Sequence, residues 1–349
     1  MIIFQHTHES YASAIVASLG KGWCHAILLY SEWFQKGSLE GLKVEPQARE
    51  LVNKMVAMTD FSLPEVQSFE VEGGTQKLLM AFADGQKVES VIIPMRAGNT
   101  LCVSSQVGCQ MGCAFCQTGQ MGLLRSLNRS EIVAQFFYTQ HVVGRPINNV
   151  VFMGMGEPFD NYDEVMGAVA ILTDVKGLKL GMSRITISTS GRVDGINRMA
   201  QEADPALNLA VSVNAPNDAI RQKIMPINRK WNMIELKEAM LCYCQNPRRK
   251  IFVEYVLLAG INDELAHADQ LAEYLQGVRA TVNLIPYNPG RDHLRSLARY
   301  KAPSDEICRQ FLQRMREKGF MTTLRGEKGR QAMAACGQLY TQIGASGYS

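Results

Sequence analysis

The chain has 349 residues, 46% of them hydrophobic and 20% charged, a composition typical of a globular protein with one large domain or a large and a small one. No uninterrupted apolar stretch approaches the 18 residues of a membrane span, so we expect a soluble protein without a membrane partner. The net charge of +3 conceals an asymmetry, because residues 1–100 carry 8 basic against 11 acidic side chains and the remainder carries 28 against 22.

Basic residues concentrate in two windows. Residues 221–250 contain 8 basic and 2 acidic side chains, and residues 291–330 contain 11 and 5. Both windows are candidates for contact with a polyanion, whereas the alternative is that they form solvated faces of amphipathic helices such as RQFLQRMREKG. Two basic windows on one face of the fold would favour the first interpretation.

Residues 9–58 predict a small helical domain. The segments AIVASLG, CHAILLYSEWF and ARELVNKMVAM repeat apolar residues with the period of a helix, and glycines interrupt the pattern at Gly20, Gly37 and Gly41. From about residue 66 the pattern changes to strand-like pieces, QSFEVEG, KLLMAFAD and VESVIIPM, separated by glycine turns. We therefore expect a helical accessory domain at 1–65 and a connecting hairpin or linker at 66–94.

Residues 95–325 predict an α/β core. The strand-like runs TLCVSSQVG, NNVVFMGMG, RITISTSG, LNLAVSVN, IFVEYVLLAG and TVNLIPYN alternate with helical runs such as SEIVAQFFYTQHV and MIELKEAMLCYC. Six such units predict a parallel sheet that is covered by helices or curled into a partial barrel. Functional residues of such folds gather at the carboxyl ends of the strands. Residues 326–349 are interpreted as a separate C-terminal segment.

A run of three cysteines follows the first of these strands. Cys109, Cys113 and Cys116 form the pattern C-x3-C-x2-C. A 4Fe-4S cluster takes one thiolate on each iron, so three thiolates leave one iron open to another ligand. Structural zinc is the alternative, but its sites use four Cys or His ligands, usually in two pairs, and no His lies between Cys102 and His141.

A disulfide framework is a weaker interpretation of the cysteines. Their number, nine, is odd, and the start MIIFQHTHES has no basic region followed by an apolar run. Both features argue against a secreted, disulfide-bonded scaffold. We therefore expect a cytoplasmic protein with reduced thiols.

Several motifs together resemble the radical S-adenosylmethionine (SAM) superfamily, whose fold is a partial (β/α)6 barrel of the TIM type. They are CQMGCAFC, with an aromatic residue before the third cysteine, and MGMGEP after the second strand. More narrowly, LCVSSQVGC, FMGMGEPFDN, STSG, APNDAIRQKIMPIN, NLIPYNP and AACGQLY resemble the RlmN/Cfr family of RNA adenine methyltransferases in order and spacing. The resemblance covers about Glu89 to Tyr340, and the combination is very specific.

The resemblance implies methylation at carbon 2 of an adenine, an electron-poor ring carbon that simple displacement does not methylate. It implies a 4Fe-4S cluster that cleaves SAM to a radical with an electron from a donor such as flavodoxin or ferredoxin. The resemblance makes Cys336 the carrier of a methyl group from another SAM and Glu89 the proton acceptor. It makes Cys102 the thiol that resolves the protein–RNA adduct by forming a transient disulfide with Cys336. Two SAM are then consumed per turnover.

The resemblance also implies a set of SAM contacts. Gly156 and Glu157 have support of their own, because a carboxylate at a strand end can receive the SAM ammonium and glycine allows close backbone approach. The other implied contacts fit equally well as strand-end caps: Ser188, Ser212, Val213, Asn214 and Asn288. Without the resemblance, Cys102 and Cys336 fit buried packing cysteines, and Glu89 fits a solvated strand residue.

Two features depart from the family pattern. The segment RGEKGRQAMAACGQL has Arg330 and Gln331 where acidic residues usually follow the glycine, and Asn214 stands where the family has a histidine. We expect an adenine in 23S ribosomal RNA as the target, with transfer RNA as a second candidate substrate. There are three alternatives. The enzyme could methylate carbon 8 of the adenine, it could catalyse another radical SAM reaction, or the protein could be a metal-stabilised RNA-binding module without turnover. We expect a monomer.

Overall fold

In the described residues, ten strands join into one mixed sheet and two more form a separate hairpin. The computed structural model describes residues 1–70, 72–95, 97–288 and 300–325, together with Leu339. The strands are β1 (Glu65–Glu70), β2 (Gln76–Ala81), β3 (Lys87–Met95), β4 (Gly98–Cys102), β5 (Gln106–Cys109), β6 (Gly122–Ser126), β7 (Ile147–Phe152), β8 (Ile185–Thr189), β9 (Asn208–Ser212), β10 (Ile251–Leu257), β11 (Ala280–Pro286) and β12 (Met321–Leu324). The helices are α1 (His8–Leu19), α2 (Trp23–Lys36), α3 (Arg49–Met58), α4 (Gln117–Met121), α5 (Arg129–Phe137), α6 (Tyr162–Leu172), α7 (Val193–Glu202), α8 (Asp218–Ile224), α9 (Met233–Tyr243), α10 (Leu265–Tyr274) and α11 (Asp305–Glu317).

The main sheet is parallel over most of its width. Its order is β1-β2-β3-β4-β7-β8-β9-β10-β11-β12, and every neighbouring pair from β4 to β12 in that order is parallel. Parallel neighbours require crossover connections, which the intervening helices supply. The predicted α/β class with a central parallel sheet is therefore confirmed.

Two capping boxes mark where crossover helices begin. Asn128 caps α5, its side chain accepting from the backbone N–H of Glu131 while the Glu131 carboxylate accepts in return from the Asn128 N–H. Asn232 and Glu235 form the same pair at α9. Each box satisfies two N–H groups that the first turn of a helix otherwise leaves without a partner, so the sequence fixes these helix starts locally.

Two parts of the core differ from the predicted strands. The first predicted strand ends at Cys102, and Gln106–Cys109 instead forms an antiparallel hairpin with β6. Between Cys102 and Gln106 the chain leaves the main sheet. There the Ser104 N–H donates to Gln135 Oε1 (2.8 Å) and the Ser104 hydroxyl donates to the Glu89 carbonyl (2.6 Å). The seventh parallel strand, β12, was not predicted, because only one of its four residues is buried.

One face of the sheet is packed in the hydrophobic core and the opposite face is partly open. On β8, Ile185 and Ile187 are buried, whereas Thr186 and Ser188 are partly exposed. Paired residues of neighbouring strands share a face, so the register carries this second face across the sheet. We call it the inner face, and its residues include Lys77, Glu89, Cys102, Val151, Ser188, Ser212, Glu254 and Asn283.

The helices before residue 65 pack onto the core through aromatic rings. The ring of Phe137, at the end of α5, lies 4.9 Å from that of Phe4 and stacks at 5.0 Å on that of Trp33. His8 adds a polar contact, since its Nδ1 lies 2.8 Å from the Asp174 carboxylate. Buried aromatic pairs contribute beyond their area, so this cluster holds the helices firmly on one side of the sheet.

The segment 66–94 extends the main sheet. Strands β1, β2 and β3 pair antiparallel, and β3 continues the pairing onto β4. The stretch expected to be a connecting hairpin is thus a three-stranded addition that hydrogen-bonds to the parallel core. Within the described helices, none combines the length and apolar character needed to cross a bilayer.

Candidate active site

The three cysteines lie on a loop between β5 and α4. Cys109 ends β5, and the loop is fixed at its centre where the Ala114 N–H donates to the Ile224 carbonyl at 2.8 Å. The hairpin needs glycine at Gly108, which has φ +78° and where a Cβ would lie 1.9 Å from the Gly122 carbonyl oxygen. Only glycine adopts this backbone conformation at such close approach without strain.

The loop suits a cluster held by three thiolates. All three cysteines lie on the wall of one pocket. Burial, reinforced by the neighbouring Cys116, raises the pKa of Cys113 to about 12, and burial likewise raises the pKa of Cys109. Crowded neutral thiols of this kind become thiolates when a metal centre binds.

The donor set is of the kind that an iron-sulfur cluster uses. Within the described part of the chain, no group of three or more His, Cys, Asp or Glu side chains is arranged to hold one metal ion. A 4Fe-4S cluster binds each thiolate through a different iron, so its ligands stand around the cluster and not around one point. The donor set of three thiols on one pocket wall therefore fits a cluster with an open iron.

The pocket beside the cysteines has a volume of about 940 Å³ including its open mouth. It extends from the cysteine loop onto the inner face. Six of the seven SAM contacts implied by the sequence line it: Gly156, Glu157, Ser188, Ser212, Asn214 and Asn288. The seventh, Val213, is fully buried outside the described lining, and its N–H donates to the Glu254 carbonyl at 3.1 Å.

The Glu157 carboxylate is already engaged by protein donors. Its Oε2 accepts from the N–H and the hydroxyl of Ser190 at 2.7 and 2.8 Å, and its Oε1 accepts from the Phe159 N–H at 3.1 Å. Burial raises the pKa of Glu157, and these donors oppose the shift. Both carboxylate oxygens of Glu157 therefore have a protein donor, and the two bonds to Ser190 fix the turn after β8.

Asn214 is held in a left-handed conformation two residues after β9. Its φ is +56°, which asparagine tolerates better than most residues. Its Oδ1 accepts from the Val256 N–H at 2.8 Å, and its Nδ2 donates to Met225 Sδ at 3.3 Å. The asparagine at the position where the family has histidine therefore ties the ends of β9 and β10 together at the pocket wall.

The chain matches known proteins over nearly its whole length. Residues 103–275 match the Radical SAM superfamily. The chain is 49% identical over 338 residues to a probable dual-specificity RNA methyltransferase RlmN 1 of Protochlamydia amoebophila, covering 97% of this chain and 93% of that protein. The chain belongs to the RlmN family. A second RlmN, from Symbiobacterium thermophilum, is 39% identical over 329 residues, covering 93% of this chain and 87% of that protein.

A solved structure agrees with the RlmN assignment. A radical SAM methyltransferase from Sphaerobacter thermophilus superposes with a TM-score of 0.89 at 36% identity, covering 97% of this chain and 99% of that one. The predicted family, the predicted radical SAM fold and the predicted enzyme class, a SAM-dependent RNA methyltransferase, are confirmed.

Two of the catalytic residues implied by the RlmN resemblance lie on the inner face. Glu89 is 2% exposed and pairs with Lys77, whose Nζ lies 2.7 Å from Oε1, so it is not the solvated strand residue that its hairpin position suggested. Cys102 is buried on the neighbouring strand. Between described residues the structure contains no disulfide. Cys336 lies outside the described residues, as do Arg330 and Gln331.

Two members of the basic windows do not face a polyanion. Arg221 is fully buried and donates to the carbonyls of Ser190, Ser212 and Val213. Arg249 is buried and donates to carbonyls at the end of α7. In the second window, Arg314 pairs with Asp269. Part of the positive charge that suggested RNA contact is thus already engaged by other groups of the protein, buried for Arg221 and Arg249 and at the surface for Arg314.

The sequence analysis missed one residue of the pocket and one residue next to it. Glu254 lies on the inner face of β10 and lines the pocket, and Arg221 ties the strand ends beneath it. A signal for Glu254 was present, because one acidic residue interrupts the apolar run IFVEYVLL, and an isolated charge in a buried strand is costly unless it has a partner. Arg221 gave no such signal among the other basic residues of its window.

Proposed function

We propose that this protein methylates carbon 2 of an adenine in RNA, with 23S ribosomal RNA and transfer RNA as substrates. The observation that carries the proposal is the convergence of the cysteine loop and six implied SAM contacts on one pocket of an RlmN family chain. The pocket lies at the carboxyl ends of parallel strands, where folds of this class place their chemistry.

We propose that Cys109, Cys113 and Cys116 hold a 4Fe-4S cluster, which when bound supplies the electron that cleaves SAM. The chain's own residues bind and orient the cosubstrate. Ser188, Ser212 and Asn288 offer hydroxyl and amide groups on the pocket wall, whereas Phe152, Met153, Val256, Ile285 and Pro286 provide apolar lining. Apolar lining excludes water, which limits side reactions of a reactive intermediate.

We propose that Cys336 carries the methyl group. Its thiolate takes the methyl group of one SAM, which leaves as S-adenosylhomocysteine. A hydrogen atom of that methyl group then passes to the 5′-deoxyadenosyl radical derived from a second SAM, which becomes 5′-deoxyadenosine, and the remaining carbon radical adds to carbon 2 of the adenine. Support comes from Leu339, three residues farther along the chain, which is buried and whose carbonyl accepts from the Thr118 hydroxyl at 2.6 Å. Thr118 is two residues beyond Cys116, so Leu339 is fastened next to the cysteine loop.

Release of the product then requires a base and a second thiol. We propose that Glu89 accepts the proton from carbon 2 as the adduct radical gives up one electron, which the bound cluster would take back. The Cys102 thiolate then attacks Sγ of Cys336, and the bond from that sulfur to the methylene carbon breaks with its electron pair on the carbon. That carbon takes a proton to become the methyl group, and a disulfide remains. Cellular thiols reopen this disulfide, so we expect the protein to act in the reducing cytoplasm. A small electron-transfer protein such as flavodoxin or ferredoxin is the expected electron donor, and a monomer is the expected state.

Mass spectrometry of nucleosides tests the proposal. Ribosomal and transfer RNA are incubated anaerobically with reconstituted protein, SAM and a reductant, and wild type is compared with Cys336→Ala. We expect 2-methyladenosine only with wild type. Appearance of 8-methyladenosine would move the target carbon, whereas cleavage of SAM without a methylated nucleoside in either RNA would refute the substrate assignment.

A further inference from the structure

Two carboxylates line the pocket, and they differ in how their acceptor sites are filled. Both oxygens of Glu157 accept from protein donors, as described above. Glu254 is 4% exposed, and both of its hydrogen bonds fall on Oε1, from Asn283 Nδ2 and from Arg325 Nη2, each at 2.9 Å. Its Oε2 is buried and has no donor among the described residues.

An acceptor of this kind needs a partner. Burying a carboxylate oxygen without a donor is unfavourable, and buried polar atoms in native proteins are nearly always hydrogen-bonded. Burial raises the pKa of Glu254, which Arg325 and Asn283 oppose. Because Glu254 lines the pocket, a donor group on a bound ligand is the partner that would satisfy Oε2.

The surroundings of Glu254 indicate which kind of donor. Ser212, its partner across β9 and β10, adds a hydroxyl to the same part of the wall. The neighbouring wall is apolar and consists of Val256, Ile285 and Pro286. A carboxylate next to an apolar surface suits a nucleoside, because carboxylates accept from ribose hydroxyls in nucleotide-binding folds while the flat base packs against apolar side chains.

We propose that Oε2 of Glu254 accepts a hydrogen bond from a ribose hydroxyl of SAM, with the adenine base against the wall formed by Val256, Ile285 and Pro286. This inference rests on the proposed function, since it requires SAM to occupy the pocket. The contact is distinct from the one suggested for Glu157, which was to the SAM ammonium.

A cycle that changes both the protein and the ligand tests this contact. The probes are S-adenosylhomocysteine, which has no methyl group to transfer, and its 2′-deoxy and 3′-deoxy analogues. Their dissociation constants are measured by anaerobic calorimetry on cluster-containing wild type, Glu254→Gln and Glu254→Met. Such a cycle isolates the pairwise contact from indirect effects of the mutation.

We expect wild type to bind at least one deoxy analogue about 10-fold or more weakly than the parent, since a hydrogen bond to a charged group is among the stronger ones. Glu254→Met should bind that analogue and the parent within about 2-fold, and Glu254→Gln, which keeps a neutral acceptor, should fall between. Equal discrimination in wild type and Glu254→Met, or none in wild type, overturns the contact.

Arg325→Met is the matched control. It removes one of the two donors to Oε1 and leaves Oε2 in place, so discrimination against the deoxy analogue should persist. If Arg325→Met loses that discrimination as fully as Glu254→Met, the ion pair and not the Oε2 contact is responsible, and the inference fails. If wild type binds none of the three ligands, the proposal that SAM occupies this pocket is refuted as well. If wild type binds all three ligands equally well, only the contact with Glu254 is refuted.

Discussion

Arg221 holds together the strand ends beneath the pocket, and its removal should destabilise the protein strongly. Its Nε donates to the Val213 carbonyl at 3.1 Å, Nη2 donates to the carbonyls of Ser190 and Ser212 at 2.7 and 3.3 Å, and Nη1 donates to Asn228 Oδ1 at 3.0 Å. The guanidinium therefore joins the ends of β8 and β9 to the segment after α8. Arg221→Met fills much of the volume but leaves these acceptors without a donor.

The magnitude follows from counting acceptors. Three good hydrogen bonds and one long one, each worth about 1 kcal/mol net when a buried acceptor loses its donor, give a loss of about 3 to 4 kcal/mol in the free energy of unfolding. Such a loss is a large fraction of the stability of a typical domain.

Urea unfolding followed by circular dichroism measures the effect. The matched control is Arg129→Met, because Arg129 also makes several bonds, to Glu164, but at the surface, where an ion pair contributes at most about 1 kcal/mol. Arg221→Lys, which keeps the charge but reaches fewer acceptors, should lie between. If Arg221→Met and Arg129→Met lose equal stability with unchanged denaturant dependence, the reasoning about orphaned buried carbonyls is wrong.

Three further predictions concern other parts of the molecule. Gly108→Ala should prevent cluster assembly, because the new Cβ would meet the Gly122 carbonyl oxygen. Gly85→Ala is the control, since Gly85 has almost the same φ, +77°, but open space around the position of a Cβ. Iron content per chain and visible absorbance are measured for both variants, and equal iron in the two would contradict the steric argument. Thr118→Val removes the donor to the Leu339 carbonyl and should lower the free energy of unfolding by about 1 kcal/mol. Thr173→Val should lower it by almost nothing, because the Thr173 hydroxyl donates to carbonyls of its own helix end. The urea midpoints of the two variants are compared, and equal midpoints would contradict this prediction. Burial lowers the pKa of His141, opposed by its bond to the Phe34 carbonyl. The unfolded chain therefore binds a proton on this ring more readily, and wild type should lose stability relative to His141→Gln as pH falls below about 6.5. Urea midpoints of both proteins are measured at pH 7.5 and 5.5. An equal change of midpoint in wild type and His141→Gln would count against a role for this ring.

The sequence was sufficient for the helices and for the parallel core. The period of the apolar residues in AIVASLG, CHAILLYSEWF and ARELVNKMVAM corresponds to α1, α2 and α3, and the capping signals NRSE and NMIE begin α5 and α9. These features are local, because a helix makes its hydrogen bonds within a few residues along the chain. The short strands β6 and β12 escaped prediction because their pairing is decided by partners distant in sequence.

The residues of the site likewise fall into those that the sequence indicated and those that only the fold revealed. The spacing C-x3-C-x2-C and the motifs around it determined the family and brought forward Cys109, Glu157 and Asn214 as candidates, since a short loop with fixed ligand spacing is a local property of the chain. Tertiary structure alone decided that Glu89 is buried against Lys77 and that Arg221 serves backbone carbonyls and not a polyanion.

Tertiary structure also decided which carboxylate of the pocket keeps an acceptor without a protein donor. Glu157 and Glu254 are both isolated acidic residues in the sequence, and only the donors that the fold brings to them distinguish their roles. Sequence thus determined which chemistry the chain carries, because that depends on residue type and spacing. Burial, partner and protonation depend on neighbours far apart in the chain, and only the folded sheet brings those neighbours together.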